Sequence, residues 1–273
     1  MMKRVAFLIV LSIFYIGFWS IVNVFYPNDL WQGYFSDSYG IIALFGGVLG
    51  LLVARTWGYF RSHIGTSLMM LSFGLLCQFL GQLSYSILFY AYGIENAYPS
   101  FGEVFFVLSV PLYIIGTYSI AKAAGFHVSL ERVRNRAVAF VTPILVLLFS
   151  YVFFLRTYDF SSNPVLNTII EIYYPVGQSF FLSVSLVAFI TTRKYLGGIM
   201  KRPVLLILLA LVFQYFADSM FIYETTHEMW QAGSLSALMF VFSYSLMALA
   251  LVNFQTLATA IKSRPVANND TRN

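Results

Sequence analysis

YPSFGEVFFVLSVPLYIIGTY, residues Tyr98 to Tyr118, decides the fold. Pro99 ends whatever precedes it, and Ser100 stands where its hydroxyl can accept from the amides of a first helical turn. Glu103, three residues on, completes a capping box, a pattern that opens a helix. No charge follows until Lys122, a run long enough to cross about 30 Å of hydrocarbon at about 1.5 Å per residue. Glu103 lies one turn inside that helix, where an ionised side chain needs a partner, water or a proton.

Comparable apolar runs fall on both sides of this one. The spans read at 5–26, 38–54, 64–92, 101–121, 137–155, 169–191, 203–223 and 234–256, eight in all, joined by short polar segments. Residues are 59% hydrophobic and 10% charged, with a mean hydropathy of +0.78; soluble domains carry about 25% charged residues. The chain therefore reads as an integral membrane protein. The first span follows MMKR, is too long for a signal-peptide core and precedes no small-x-small cleavage site, so it is expected to remain.

The net charge of +5 does not point to nucleic acid, because the basic residues sit in loops between apolar runs. Fifteen of the sixteen, Lys3 and Arg4 through Lys262, Arg264 and Arg272, fall on one side of an eight-span arrangement, and Arg156 alone falls on the other. By the positive-inside rule both termini are cytoplasmic and the membrane is a cell inner (plasma) membrane. The acids Asp29, Asp37, Glu95, Asp159, Glu224 and Glu228 lie in outer loops or at their edges, where solvation accounts for them. It does not account for Glu103, Glu171 and Asp218, which lie within apolar runs.

Gly81-Gln82 and then Pro99-Ser100 are echoed by Ala217-Asp218 and then Gly233-Ser234, at an offset of 136 residues before the loop and 134 after it. A weaker echo surrounds Tyr174-Pro175-Val176-Gly177-Gln178. The fold expected is all-α, a polytopic bundle of eight transmembrane helices arranged as four similar hairpins. It fills residues 1–261 as one domain, with 262–273 a short polar cytoplasmic tail.

Polar side chains recur at helical spacing on three spans. Gln78, Gln82 and Tyr85 form one stripe, Glu171, Tyr174 and Gln178 a second, and Gln214 and Asp218 a third. An acid facing lipid at the bilayer centre costs about 3 kcal/mol, so the stripes should point inward, toward one another and toward Glu103. Two purposes fit: interhelical hydrogen bonding worth about 0.6 kcal/mol each, or an outward-facing pocket for a small ligand or proton. Asp218 sits deepest and has no capping duty. Pro111, Pro143 and Pro175 each free a carbonyl inside a span and permit a kink. Trp19, Tyr26, Trp31, Tyr34, Trp57, Tyr92, Tyr98 and Trp230 fit an interfacial aromatic belt.

No cofactor is expected. No lysine lies in a span to hold retinal, and His63, His127 and His227 fall in predicted loops rather than as an intramembrane haem pair. Cys77 is the one cysteine, so neither an intramolecular disulfide nor a thiolate metal cluster can form, and no metal site is assigned. No P-loop, HExxH or GxSxG motif stands in a context that would support it.

PSFGEVFFVLSVPL, YYPVGQSFFL and FADSMFIYETTHEMWQAGSLSALMFVFSYSLMALAL together resemble a family, the multi-helix membrane sensor region that precedes diguanylate cyclase, phosphodiesterase and histidine-kinase output domains in many bacteria. The resemblance covers spans 3 to 8. It implies signal reception by the membrane bundle and, residue by residue, points to Glu103, Gln178 and Asp218. Gln178 stands where the family usually has an acid, so that position does not titrate. Only about a dozen residues follow Ile261, which leads to the expectation of a separate signalling or membrane-complex subunit as partner. Arg132, Arg134 and Arg136 are where such a partner, or anionic lipid headgroups, would dock. Two alternatives stand beside this sensory reading: a small-solute or proton-coupled transporter, and an intramembrane lipid hydrolase similar to the lysoplasmalogenase-like family. The hydrolase requires Glu103, Glu171 and Asp218 to be close, and Gln82 replaces the acid expected after Gly81.

Overall fold

The computed structural model describes residues 2–27, 30–94, 99–125, 133–156, 165–195 and 200–262. Its α-helices are α1 (Met2–Phe25), α2 (Leu30–Ser38), α3 (Ile41–Thr56), α4 (His63–Tyr92), α5 (Gly102–Ala123), α6 (Val133–Ser150), α7 (Val165–Tyr195), α8 (Lys201–Thr226) and α9 (Leu235–Lys262). A π-helical turn, Tyr151–Leu155, extends α6. No strand occurs among the described residues. Eight helical stretches are long and apolar enough to cross a membrane, with α2 and α3 together making the second, Leu30–Thr56. This is a multi-pass membrane protein. The second span begins eight residues earlier than the sequence reading placed it, because α2 carries Gln32 and Asp37 and so lowers the local hydropathy.

Local chemistry sets the helix ends. Ser62 opens α4 by accepting from the Gly65 amide at 2.9 Å. Gly93 closes it in the left-handed region, φ 65°, so that its amide and that of Ile94 donate to Phe89 and Leu88 carbonyls. At Ser100 the expected capping box does not form. Phe101 takes the cap position, Ser100 Oγ accepts only from Gly102, and the Glu103 carboxylate turns into the bundle.

Six spans pack in sequence around a closed ring: α3 on α4, α4 on α5, α5 on α7, α7 on α8, α8 on α9 and α9 back on α3. The other two lie outside it. α1 packs chiefly on α9, and α6 on α7. Burial separates the groups: only 6% of the most apolar stretch of the α6 span and 22% of that of α1 is buried, against 72% for α9. The exposed faces of α1 and α6, such as Val10, Ile13, Phe140 and Ile144, are apolar, as a lipid-facing surface requires.

Two carbonyls freed by prolines are satisfied from α7. Pro111 cannot donate to the Val107 carbonyl, and Tyr173 Oη donates to it instead at 3.0 Å. Pro143 leaves the Ala139 carbonyl, which accepts from Ser183 Oγ at 2.8 Å. On the other flank α3 turns Gly46, Gly47 and Gly50 toward α4 and α9. A Cβ at Gly46 would lie 2.6 Å from Ala248 Cβ, and one at Gly47 2.7 Å from Leu76 Cγ. Small residues here let helices approach closely where no hydrophobic effect draws them together.

Candidate functional site: an acidic cavity inside the ring

The three polar stripes converge. Glu103, 5% exposed, receives the hydroxyl of Tyr85 on Oε1 at 2.7 Å and that of Tyr174 on Oε2 at 2.8 Å. Asp218 receives Gln178 Nε2 at 2.5 Å and Gln214 Nε2 at 3.0 Å. Gln214 Oε1 in turn accepts from Ser243 Oγ at 2.9 Å, which ties α8 to α9. One layer further in, Gln78 donates to Ser109 Oγ at 2.8 Å and accepts from Tyr244 at 3.0 Å. Gln82 donates to the Ser36 carbonyl. Each carboxylate thus has two donor side chains brought from more than one helix.

Between these hubs lies a cavity of about 770 Å³, within the range of small-molecule pockets, about 300–1,000 Å³. Every ring span lines it. The second span contributes Ser36, Asp37 and Tyr39; α4 contributes Gln82 and Tyr85; α5, Glu103 and Phe106; α7, Tyr174; α8, Asp218 and Phe221; and α9, Phe240 and Tyr244. Ile94, Glu228, Trp230 and Ala232 border it where the α4–α5 and α8–α9 connections begin and end.

That border is pinned from below. Gly233, held at φ 75°, donates its amide to Ser36 Oγ at 2.8 Å and accepts from Trp19 Nε1 at 2.9 Å and Asn23 Nδ2 at 3.2 Å. A side chain would strain that backbone, so the glycine lets one residue join α1, α2 and the entry to α9.

Of the residues singled out in sequence, Glu103, Asp218, Gln82, Tyr85 and Tyr174 line the cavity, and Gln178 and Gln214 stand behind it holding Asp218. Glu171 is buried, 3% exposed, but does not line it. Arg132 and the side chain of Arg134 lie outside the described residues; Arg136 is exposed at the start of α6. Asp29, Glu95, Asp159 and the tail beyond Lys262 also lie outside the described residues.

Several side chains in or beside the cavity escaped sequence reasoning, the lining acid Glu228 among them. Asp37, read as a solvated loop acid, lies on α2, lines the cavity and accepts from Ser86 at 2.8 Å and Tyr90 at 2.7 Å. Glu224, read the same way, is buried at the end of α8 and accepts from Ser236 at 2.6 Å. Tyr39 and Tyr244 carried no periodic signal of their own. A Ser36-Asp37-Ser38 cluster immediately before an apolar run was the available cue.

Compared with known proteins, the chain matches no family model, no curated protein and no solved structure.

Proposed function

We propose that this chain is a sensory or accessory subunit of a bacterial-type inner (plasma) membrane. On this reading the spans pair as four hairpins with both termini in the cytoplasm and the cavity facing outward, where a small ligand or proton acts on Glu103 and Asp218 and the response passes to a separate protein. The observation that carries this reading is that two intramembrane carboxylates from different helices share one cavity lined by all six ring spans. Intramembrane acids are costly, and functional roles are the usual reason to keep them. The one-sided distribution of basic residues supports the orientation.

Affinity purification from native membranes in mild detergent tests it. A stoichiometric kinase, cyclase or larger membrane complex is expected to co-elute. A protein that elutes alone, and that moves solute or protons in liposomes, overturns the sensory reading in favour of transport.

Lipid hydrolysis is the second reading, because Glu103 and Asp218 face one space, though Glu171, the third acid it called for, does not line it. Under it the purified protein turns over a lysolipid unaided, and both Glu103→Gln and Asp218→Asn abolish turnover. The sensory reading expects no turnover.

A further inference from the structure

We propose that the cavity binds an organic ammonium cation, held by the charge of its carboxylates and by the faces of its aromatic wall. The proposal rests on the reading of the cavity as a ligand pocket and names the class of ligand it takes.

Charge is the first observation. Asp37, Glu103, Asp218 and Glu228 all line the cavity, and no lysine, arginine or histidine is among its lining residues. Low-dielectric walls around charges of one sign focus their field on the enclosed space, so a cation gains there what an anion loses.

The wall is the second. Tyr39 stacks on Phe240 with rings 6.3 Å apart and 11° from parallel, and Tyr244 packs against both at 6.1 and 5.8 Å. All three line the cavity. Aromatic faces carry negative potential and attract ammonium groups most strongly where water is excluded.

The Tyr39 hydroxyl is the third. Tyr39 is 8% exposed, and its hydroxyl has no hydrogen-bond partner among the described residues. The hydroxyl oxygen itself keeps solvent access, and Tyr39 lines the cavity, so an ammonium N–H there can donate to it.

A bare metal ion fits less well. Among the described residues no three His, Cys, Asp or Glu side chains converge on one point, and both deep carboxylates already receive two side-chain donors each. They are placed to act as counter-charges to a diffuse cation rather than as inner ligands.

The test uses the purified full-length protein in detergent and a set of probes with the same benzyl group. Radiolabelled benzyltrimethylammonium is expected to bind saturably. Its uncharged isostere neopentylbenzene should compete at least about tenfold more weakly, and anionic benzylsulfonate not at all. Glu103→Gln, whose amide can still pair with both tyrosines, should weaken the cation about tenfold, as should Asp218→Asn. Tyr39→Phe breaks no hydrogen bond within the described residues and so should fold as the parent does. It should weaken benzylammonium, which has an N–H to donate, several-fold more than benzyltrimethylammonium, which has none.

Equal competition by neopentylbenzene, preference for benzylsulfonate, or no saturable binding of either cation overturns the proposal. Asp218-dependent binding of the neutral or anionic probe would do so while leaving a ligand pocket in place. Co-purification of a partner reads the sensory assignment separately, so the two failures are distinguishable.

Discussion

Tyr85→Phe combined with Tyr174→Phe is expected to destabilise the bundle by roughly 3–5 kcal/mol, about the loss of two hydrogen bonds to a buried charge. Glu103 is 5% exposed and these hydroxyls are its two side-chain donors, one on each oxygen. Either single variant leaves one donor and should cost roughly half as much. Adding Glu103→Leu to the double variant should recover most of the stability, because removing both sides of a buried polar contact costs far less than orphaning one. Thermal melting in detergent reads all four variants. A triple variant less stable than the double would mean that Glu103 is held by something other than the tyrosines, and that α4, α5 and α7 are joined differently.

Gly50→Val should prevent the ring from closing. A Cβ at Gly50 would overlap the Ser72 hydroxyl on α4 and lie 2.7 Å from Leu251 Cδ1 on α9, and valine adds two more carbons beyond it. α3 is wedged between these helices and cannot leave one without meeting the other. The expected result is loss of monodisperse protein on size exclusion. Gly50→Ala is the graded version and should cost about 1–3 kcal/mol by overpacking. Ser72→Ala should return part of that loss. It deletes the hydroxyl that the new methyl meets, and that hydroxyl makes no hydrogen bond among the described residues. A Gly50→Val protein that melts like the parent would remove α3 from the ring.

Much of this arrangement is legible in the sequence, for identifiable reasons. Eight spans follow from hydropathy and length. The inward direction of the Gln82–Tyr85, Tyr174–Gln178 and Gln214–Asp218 pairs follows from helical periodicity and the cost of polar groups in lipid. What periodicity cannot supply is depth. Glu171 shares a stripe with Tyr174 and Gln178 and is buried like them, yet only Tyr174 lines the cavity.

Local pattern also failed at Glu103. Its spacing from Ser100 fits a capping box, but tyrosines 18 and 71 residues away claim the carboxylate. Long-range partners leave no trace in a three-residue motif. Asp37 and Glu224 were missed for the opposite reason. Acids beside loops are usually solvated, and here Ser86, Tyr90 and Ser236 fold over them.

Glu103 and Asp218 share a space inside the ring, which on the proposed reading is open to the outer face and favours cations. Cysteine accessibility measures both properties. Cys77 is buried and is the only cysteine, so Cys77→Ala gives a clean background. Ala237→Cys then places a thiol on the cavity wall, and Leu71→Cys places one in the packed interior, at a position 0% exposed. Methanethiosulfonate reagents of either charge are added to the outer face of intact cells stripped of outer barriers. Ala237→Cys is expected to react while Leu71→Cys does not, and the trimethylammonium reagent should outpace the sulfonate at Ala237→Cys. A thiol there as silent as the one at Leu71→Cys, or one that prefers the anionic reagent, would contradict it.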